Sequence, residues 1–144
     1  MIEETLFIIK PDGWNERVQI MTEISKRFDI THTLIFEFNS KLIAQFYPTD
    51  VGKLYYPAIE EYMIETPCEL GVIKGSSVID RFFEFVGKLS DPKACEPDTL
   101  RYRYGKGLST TTSGLYIVKN AVHRVKSKEE YAYELELFSS QGRL

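Results

Sequence analysis

The alternation of apolar and polar positions divides the chain into four predicted strands and five predicted helices. The first strand is Thr5 to Ile9, an apolar run that ends at Pro-Asp-Gly and is typical of a buried strand. Apolar residues then recur three and four positions apart over 18–28, which is the spacing of an amphipathic helix. Alternation over 34–38 predicts the second strand.

The middle of the chain carries mostly helix signals. Asn39-Ser40 is a capping pair ahead of a short helix over 42–46. Apolar residues four positions apart predict another helix over 54–63. The third strand follows over 67–75. A further helix is expected over 77–87, because this segment begins with Ser-x-x-Asp and ends with glycine.

The last third of the chain has a long segment with little periodicity. Residues 88–115 are rich in Pro, Gly, Ser, Thr and Lys, and they predict a loop that is functional or mobile. Tyr116 to Val122 reads as the last strand. Ser127 with Glu130 forms a capping box that begins the final helix, with its inner stripe over 131–138.

Without the extra helices, this order of elements is βαββαβ. It predicts a ferredoxin-like α+β fold, an antiparallel sheet covered by helices on one side, with additional helices. A chain of 144 residues is long enough for one hydrophobic core, so we expect a single domain over residues 1–144. This fold supports many unrelated activities and does not by itself indicate a function.

Composition and charge narrow the function classes. The chain is 43% hydrophobic and carries a net charge of −3. This net charge gives no indication of nucleic-acid binding. It has no apolar run of membrane-spanning length and no signal-peptide pattern at its start, so we expect no membrane association. Cys68 and Cys95 do not form a metal motif, and they suit reduced thiols in a cytoplasmic protein.

Two short motifs carry the candidate chemistry. Ile9-Lys10-Pro11-Asp12-Gly13 places a lysine at the end of the first strand, and Asn120 precedes His123 at the end of the last strand. Lysine, asparagine and histidine together can bind a polyphosphate and accept a phosphoryl group. Taken alone, a histidine at a strand end is more often a packed structural residue. Glu134 changes that balance, because the final helix turns it inward, where a carboxylate needs a partner.

The chain resembles the nucleoside diphosphate kinase family over roughly residues 4–138. The resemblance is carried by separated pieces in the family's order: Thr5 to Gly13, Glu23 to Phe28, Phe46-Tyr47, Tyr55 to Met63, Pro67, Gly75, Val86-Gly87, Asp98 to Arg101, Asn120 to His123, and Glu134. It implies transfer of the terminal phosphoryl group of a nucleoside triphosphate to a nucleoside diphosphate. The carrier in that ping-pong reaction would be a phosphorylated His123.

The resemblance also implies roles for the other site residues. Glu134 would steady the imidazole of His123, and Tyr47 matches a tyrosine beside it. Lys10 and Arg101 would supply positive charge to the phosphates. The remaining matches are Asn120, which would bond sugar and phosphate, Ser90, in place of a phosphate-contacting threonine, and Tyr55, Ile59 and Ile117, around the base. Core packing is nearly as good an explanation for these last three.

The resemblance further implies cofactors and partners. Mg²⁺ would be held mainly by the phosphates of the nucleotide, so the protein needs no metal-binding residues. Nucleoside triphosphates and diphosphates are the expected partners, and neither a membrane nor a nucleic acid is expected. Family members usually assemble as hexamers or tetramers, so a homo-oligomer is expected here.

The sequence departs from the family pattern near the proposed histidine. The family continues after the histidine with Gly-Ser-Asp-Ser, where this chain has Arg124-Val125-Lys126-Ser127. Val125 cannot bond the supporting acid as the family's serine does. Phe83 stands where the family has a phosphate-binding arginine, and Arg81, Lys88 or Arg103 are the candidates to replace it. The segment 105–115 is longer than in the family, and it is either a lid or a solvated insertion.

Two other functions compete with an active kinase. A nucleotide-binding regulatory relative would retain the pocket and lose efficient turnover, in keeping with Val125 and Phe83. An RNA-binding sheet needs exposed aromatic residues on central strands in a basic surround. The strand aromatics Phe7, Phe36 and Phe38 lie in apolar runs of an acidic chain, which disfavours RNA binding.

Overall fold

The computed structural model describes residues 1–144 and contains six strands and six α-helices. The strands are β1 (Ile2–Ile9), β2 (Asp29–Phe36), β3 (Cys68–Ser76), β4 (Gly107–Thr110), β5 (Tyr116–Lys119) and β6 (Val122–Arg124). The helices are α1 (Arg17–Ser25), α2 (Ser40–Phe46), α3 (Tyr56–Ile64), α4 (Val78–Val86), α5 (Leu100–Tyr104) and α6 (Lys128–Ser140). Two 3₁₀ segments occupy Pro11–Glu16 and Pro92–Ala94. None of the helices is both long and apolar enough to cross a bilayer.

Four strands form one antiparallel sheet in the order β2-β3-β1-β6. This is the strand order of a βαββαβ ferredoxin-like sheet, so the predicted fold class is confirmed. β4 and β5 pair with each other as a separate antiparallel ribbon. The short β6 pairs with the end of β1, with His123 opposite Ile8. This pairing brings the motif around Lys10 next to the motif that contains His123.

Helices cover both faces of the sheet, so the expectation of one covered side is wrong. Leu6 and Ile8 of β1 pack with residues of α2, α3 and α6. Phe7 and Ile9, the intervening residues, pack with residues of α1 and α4. Successive strand side chains point to opposite faces. An apolar run without alternation therefore fills two cores, one on each face of the sheet.

The segment 88–115 is more ordered than its composition predicts. It contains the second 3₁₀ segment, α5 and β4. Polar side chains begin these short pieces, because Asp91 accepts from the Lys93 N–H at 3.1 Å and Thr99 accepts from the Tyr102 N–H at 3.3 Å. Elements of three to five residues are too short to produce a visible hydrophobic period.

The predicted last strand is divided in two. β5 pairs with β4 and β6 pairs with β1, and Asn120 and Ala121 lie between them. Ala121 has φ of +68°, in the left-handed region that L-residues seldom adopt. The predicted caps at Asn39 and Ser127 form, since each side chain accepts from a backbone N–H of the first turn. The predicted cap at Ser77 does not form, since its side chain makes no capping bond.

Candidate active site

His123 and Glu134 form a direct pair between β6 and α6. Nε2 of His123 lies 2.7 Å from Oε1 of Glu134, and the two side chains are 15% and 6% exposed. The ring of Phe46 packs edge-on against the imidazole, with 4.9 Å between ring centroids. A carboxylate accepts the proton of Nε2, which leaves the lone pair of a neutral imidazole on Nδ1. The geometry therefore offers Nδ1 as the nucleophilic nitrogen.

Lys10 and Asn120 are joined by the pairing of β1 with the turn before β6. The backbone N–H of Lys10 donates to the carbonyl of Ala121 at 2.7 Å. Nζ of Lys10 donates to Oδ1 of Asn120 at 2.9 Å. The amide nitrogen of Asn120 in turn donates to the carbonyl of Ser90 at 3.1 Å. Lys10, Asn120 and the Ser90 carbonyl thus form one chain of hydrogen bonds beside His123.

Lys10 and Arg101 are buried cations without an acidic partner. Their exposed fractions are 8% and 3%, and neither forms an ion pair within the chain. Burial, with a smaller effect of the Arg101 charge, lowers the pKa of Lys10 to about 8. Burial, followed by the charge of Arg124, lowers the pKa of Arg101 to about 9. Such unpaired buried charge is costly unless an anion compensates it.

Arg101 is held by two backbone carbonyls. Its Nε donates to Val122 at 3.1 Å and its Nη1 donates to Leu89 at 3.0 Å. Arg101 lies in the first turn of α5, a helix that the sequence does not predict. Its side chain reaches β6 from that position. Arg101 makes no hydrogen bond through Nη2 within the chain.

Asp12 joins the two motifs through contacts that sequence reasoning missed. Its Oδ1 accepts from the hydroxyl of Tyr62 on α3 and from the N–H of Ala121 at 3.1 Å. Its Oδ2 accepts from the N–H of Lys106 at 3.3 Å. Burial and the Asp12 carboxylate raise the pKa of Tyr62. Asp12 therefore helps to hold Ala121 in its left-handed conformation, two residues before His123.

Tyr47 lies in the same apolar surround as the imidazole. Its ring packs edge-on against Phe46 at 4.9 Å between centroids, on the residue that also contacts His123. Its hydroxyl lies 3.9 Å from the sulfur of Met63. Burial, and to a smaller extent the Glu134 carboxylate, raises the pKa of Tyr47, so the phenol remains protonated. The structure thus places Tyr47 close to the pair but not in hydrogen-bond contact with it.

The three residues proposed around the base do not lie together on an open surface. Ile59 is 9% exposed and belongs to the core between α3 and the sheet. Ile117 is half-buried and packs against that same core. Tyr55 is 45% exposed, and its hydroxyl bonds Asp50. Ser90 is exposed, and its contact with the site is through its carbonyl.

The residues at which the sequence departs from the family pattern have defined surroundings in the structure. Val125 is buried in the apolar core with Phe46 and Phe138, and it makes no bond to Glu134. The three cations named as substitutes at Phe83 are engaged elsewhere: Arg81 with the Ser76 carbonyl, Lys88 with Glu84 and Arg103 with Glu23. Arg124, by contrast, is buried with its guanidinium carbon 4.3 Å from the centre of the Phe83 ring.

One group of side chains near the imidazole has metal-ligating atoms. The potential ligand atoms of His123, Glu130 and Glu134 lie within 4.8 Å of one another. Glu130 was not a predicted site residue. A metal ion bound to Nε2 would replace the hydrogen bond between His123 and Glu134. This group therefore does not suit the ion that accompanies a nucleotide.

Comparison with known proteins places this geometry in a family. The family model described as nucleoside diphosphate kinase matches residues 3–143. A nucleoside diphosphate kinase of Streptococcus pneumoniae is 32% identical over 141 residues, 95% of this chain and 99% of that protein. One from Streptococcus uberis is 27% identical over 140 residues, 95% of this chain and 94% of that protein. The crystal structure of Aquifex aeolicus nucleoside diphosphate kinase, an orthorhombic form, matches with a TM-score of 0.79 and 25% identity, covering 100% of this chain and 99% of that one. This chain belongs to the nucleoside diphosphate kinase family of phosphotransferases.

Proposed function

We propose that this member of the family moves the terminal phosphoryl group of a nucleoside triphosphate to a nucleoside diphosphate, with His123 as the covalent carrier. The supporting observation is the 2.7 Å contact of Nε2 with Glu134, which leaves Nδ1 as the basic nitrogen. A regulatory relative without turnover is not favoured, because the similar proteins named above are kinases.

The chemistry proceeds in two displacements at phosphorus. Nδ1 attacks the terminal phosphorus, the bond from that phosphorus to the bridging oxygen breaks, and the nucleoside diphosphate leaves with the electron pair. The terminal oxygen of an incoming diphosphate then attacks the phosphorus of phospho-His123 and restores the free imidazole. The Glu134 carboxylate stabilises the positive charge that the ring acquires when Nδ1 forms its new bond.

Lys10, Arg101 and Asn120 would bind the polyphosphate. Phosphoryl transfer depends mainly on positioning and on neutralising the charge of the phosphate oxygens. Two buried cations without carboxylate partners provide that charge, and the polyphosphate would be their counterion. Tyr47 would shape the apolar wall beside the imidazole. Tyr55 and Ile117 would contact the base, and Ile59 would support them from the core.

We propose Mg²⁺ as the ion that accompanies the nucleotide. The residues present fit this role, because the site presents ammonium, guanidinium and amide donors to the phosphates, and the carboxylate of Asp12 is occupied by three hydrogen bonds. The ion would therefore be held by phosphate oxygens and water. An ion bound in this way would neutralise phosphate charge.

The remaining proposals concern the state of the protein. We propose one domain over residues 1–144 and a homo-oligomer, a hexamer or a tetramer. The free edge of β2 supports a homo-oligomer. β2 pairs only with β3, so its other edge can pair with a second chain. Cys68 and Cys95 are buried free thiols, which supports a cytoplasmic location. Sedimentation analysis tests the oligomeric state, and cell fractionation tests the location.

Intact-protein mass spectrometry tests the covalent step. After mixing with ATP and Mg²⁺, the protein should gain the mass of one phosphoryl group, and excess GDP should remove it. His123→Ala should take up none. His32→Ala is the matched control, because His32 is the other histidine and lies exposed on β2. Uptake by His123→Ala that GDP still discharges would contradict the proposed mechanism.

A further inference from the structure

Four consecutive backbone carbonyls, those of residues 87–90, all accept hydrogen bonds from side chains. Arg124 donates from Nε to Gly87 and from Nη2 to Lys88, each at 2.9 Å. The next two carbonyls hold residues of the candidate site, because Arg101 donates to Leu89 and Asn120 donates to Ser90. One short segment thus joins Arg124 to two of the proposed phosphate-binding residues.

Side chains rather than backbone pairing hold this segment in place. Residues 88–90 lie between α4 and the 3₁₀ segment at Pro92–Ala94, and they make no backbone-to-backbone hydrogen bond. Gly87 has φ of +130°, and a Cβ there would lie 2.8 Å from Sγ of Cys95 and 3.2 Å from Cβ of Arg101. The segment therefore passes close to Arg101, and its position depends on the groups that bond its carbonyls.

Arg124 is built into this position at a cost. It is 6% exposed, forms no ion pair, and its guanidinium stacks on Phe83 at 4.3 Å. Burial lowers the pKa of Arg124. A buried guanidinium without a carboxylate costs free energy that two carbonyl bonds and an aromatic contact only partly return. A leucine or methionine would fill the same space without that cost.

We propose that Arg124 is a positioning residue for nucleotide binding: it fixes the carbonyls of residues 87–90, which in turn orient Arg101 and Asn120 toward the polyphosphate. The planar fork of arginine suits two successive carbonyls, and an ammonium cannot bond both in the same way. Asn120 passes this orientation on to Lys10 through the bond to Nζ. Arg124 also adds positive charge close to Arg101, whose pKa it lowers.

This inference rests on the proposed function, but its test is kept separate by measuring ADP binding as well as turnover. Arg124→Lys retains the charge and removes the fork. It should weaken ADP binding, and lower kcat/KM for ATP, by roughly 10-fold or more, as expected for the loss of charge-assisted hydrogen bonds. Arg124→Ala should lower ADP affinity further than Arg124→Lys does, and added methylguanidine should restore part of that affinity.

Arg81→Ala is the matched control. Arg81 also donates to a backbone carbonyl, that of Ser76, and also lies near an aromatic ring, Phe28 at 5.2 Å, but on the exposed face of α4. Its loss should leave ADP affinity and kcat/KM within about twofold, as for surface substitutions away from such sites. Methylguanidine should not affect this variant.

The outcomes separate the inference from the proposed function. If wild-type protein takes up no phosphoryl group but Arg124→Lys still loses ADP affinity, the covalent mechanism fails and the positioning role stands. If wild-type protein is phosphorylated and Arg124→Lys, folded by circular dichroism, binds ADP and turns over within twofold of it, the positioning role is wrong. Loss of stability without methylguanidine rescue of Arg124→Ala would also reject it, because that result indicates a merely structural residue.

Discussion

Two neighbouring groups of buried side chains differ in whether they have an acidic partner within the chain. In the first, His123 and Glu134 face each other at 2.7 Å, so the imidazole has an acid within the chain. In the second, the cation cluster of Lys10, Arg101 and Arg124 is equally enclosed, but none of its members forms an ion pair. On the proposed function, the nucleophile has a partner within the chain, whereas the charges of Lys10 and Arg101 would be neutralised by the substrate.

This difference has a physical consequence for stability and binding. A histidine that must react needs a fixed tautomer before the substrate arrives, and a carboxylate on Nε2 provides it. Cations that must bind a polyphosphate lose affinity if an internal carboxylate already occupies them. The free protein therefore carries the cost of the unpaired cations, which, on the proposed function, nucleotide binding would relieve.

The largest predicted effect comes from replacing a member of the unpaired cation cluster. Replacing Lys10 by methionine should raise the free energy of unfolding at pH 7 by at most roughly 3 kcal/mol, because lowering a lysine pKa from 10.5 to about 8 carries a cost of that size, and the loss of the Nζ bond to Asn120 offsets part of the gain. ADP binding should fall at the same time. Urea unfolding and calorimetric titration measure the two changes, which should have opposite signs.

The pH dependence of the same variant sharpens this prediction. Between pH 8 and 10.5 the unfolded chain holds the Lys10 proton and the folded chain does not, so stability rises with pH in that window. The gap between Lys10→Met and wild type should therefore be full below pH 8 and close as the pH approaches 10.5. Lys126→Met, at an exposed lysine, is the control and should track wild type. A Lys10→Met protein less stable than wild type at pH 7 would contradict the account of the cation cluster.

Changing the His123–Glu134 pair should have a smaller effect, because the substitution removes a negative charge rather than a buried positive one. Glu134→Gln retains an oxygen that can accept from Nε2 and removes the charge that favours the phosphorylated ring. The rate of phosphoryl uptake should fall by about 10- to 100-fold, the usual cost of losing an orienting partner. Rapid-quench measurement of phospho-His123 formation checks this value.

Glu130→Gln is the control for that measurement. Glu130 lies close to the same pair, yet Glu134 alone makes the hydrogen bond. The rate for Glu130→Gln should remain within a few-fold of wild type. Equal losses in the two variants would show that the two carboxylates share the role.

The smallest predicted effect concerns the contacts that join the two groups. Tyr62→Phe removes the hydroxyl bond to Asp12 and leaves the ring near Lys10 and Lys119. The free energy of unfolding should fall by about 1–2 kcal/mol, as for a buried bond to a charged group. Tyr55→Phe removes a similar tyrosine–aspartate bond from an exposed residue, and it should change the free energy of unfolding much less than Tyr62→Phe does. No difference between the two variants in urea unfolding would reject this role of Asp12.

The sequence predicts those parts of the molecule that leave a periodic or spaced pattern. The apolar run of β1, the caps at Asn39 and Ser127 and the inward position of Glu134 all follow from local rules. α5 and the ribbon of β4 and β5 do not, because elements of four or five residues carry no readable period.

The contacts around residues 87–90 escape prediction for a different reason. They join side chains to backbone carbonyls, and a carbonyl is present at every position whatever the residue type. In the sequence, Arg124 differs from the family pattern, but a charged residue type does not predict burial. The roles of the individual site residues stay predictions until the variants are measured.

In the proposed mechanism, Glu134 accepts the proton of Nε2 so that Nδ1 reacts. The most direct measurement is nuclear magnetic resonance of the phosphorylated protein with ¹⁵N-labelled histidine, in which coupling to ³¹P identifies the modified nitrogen of His123. The geometry predicts that phosphorus couples to Nδ1 and that Nε2 keeps its proton. Coupling to Nε2, or to the ring of His32, would contradict the account.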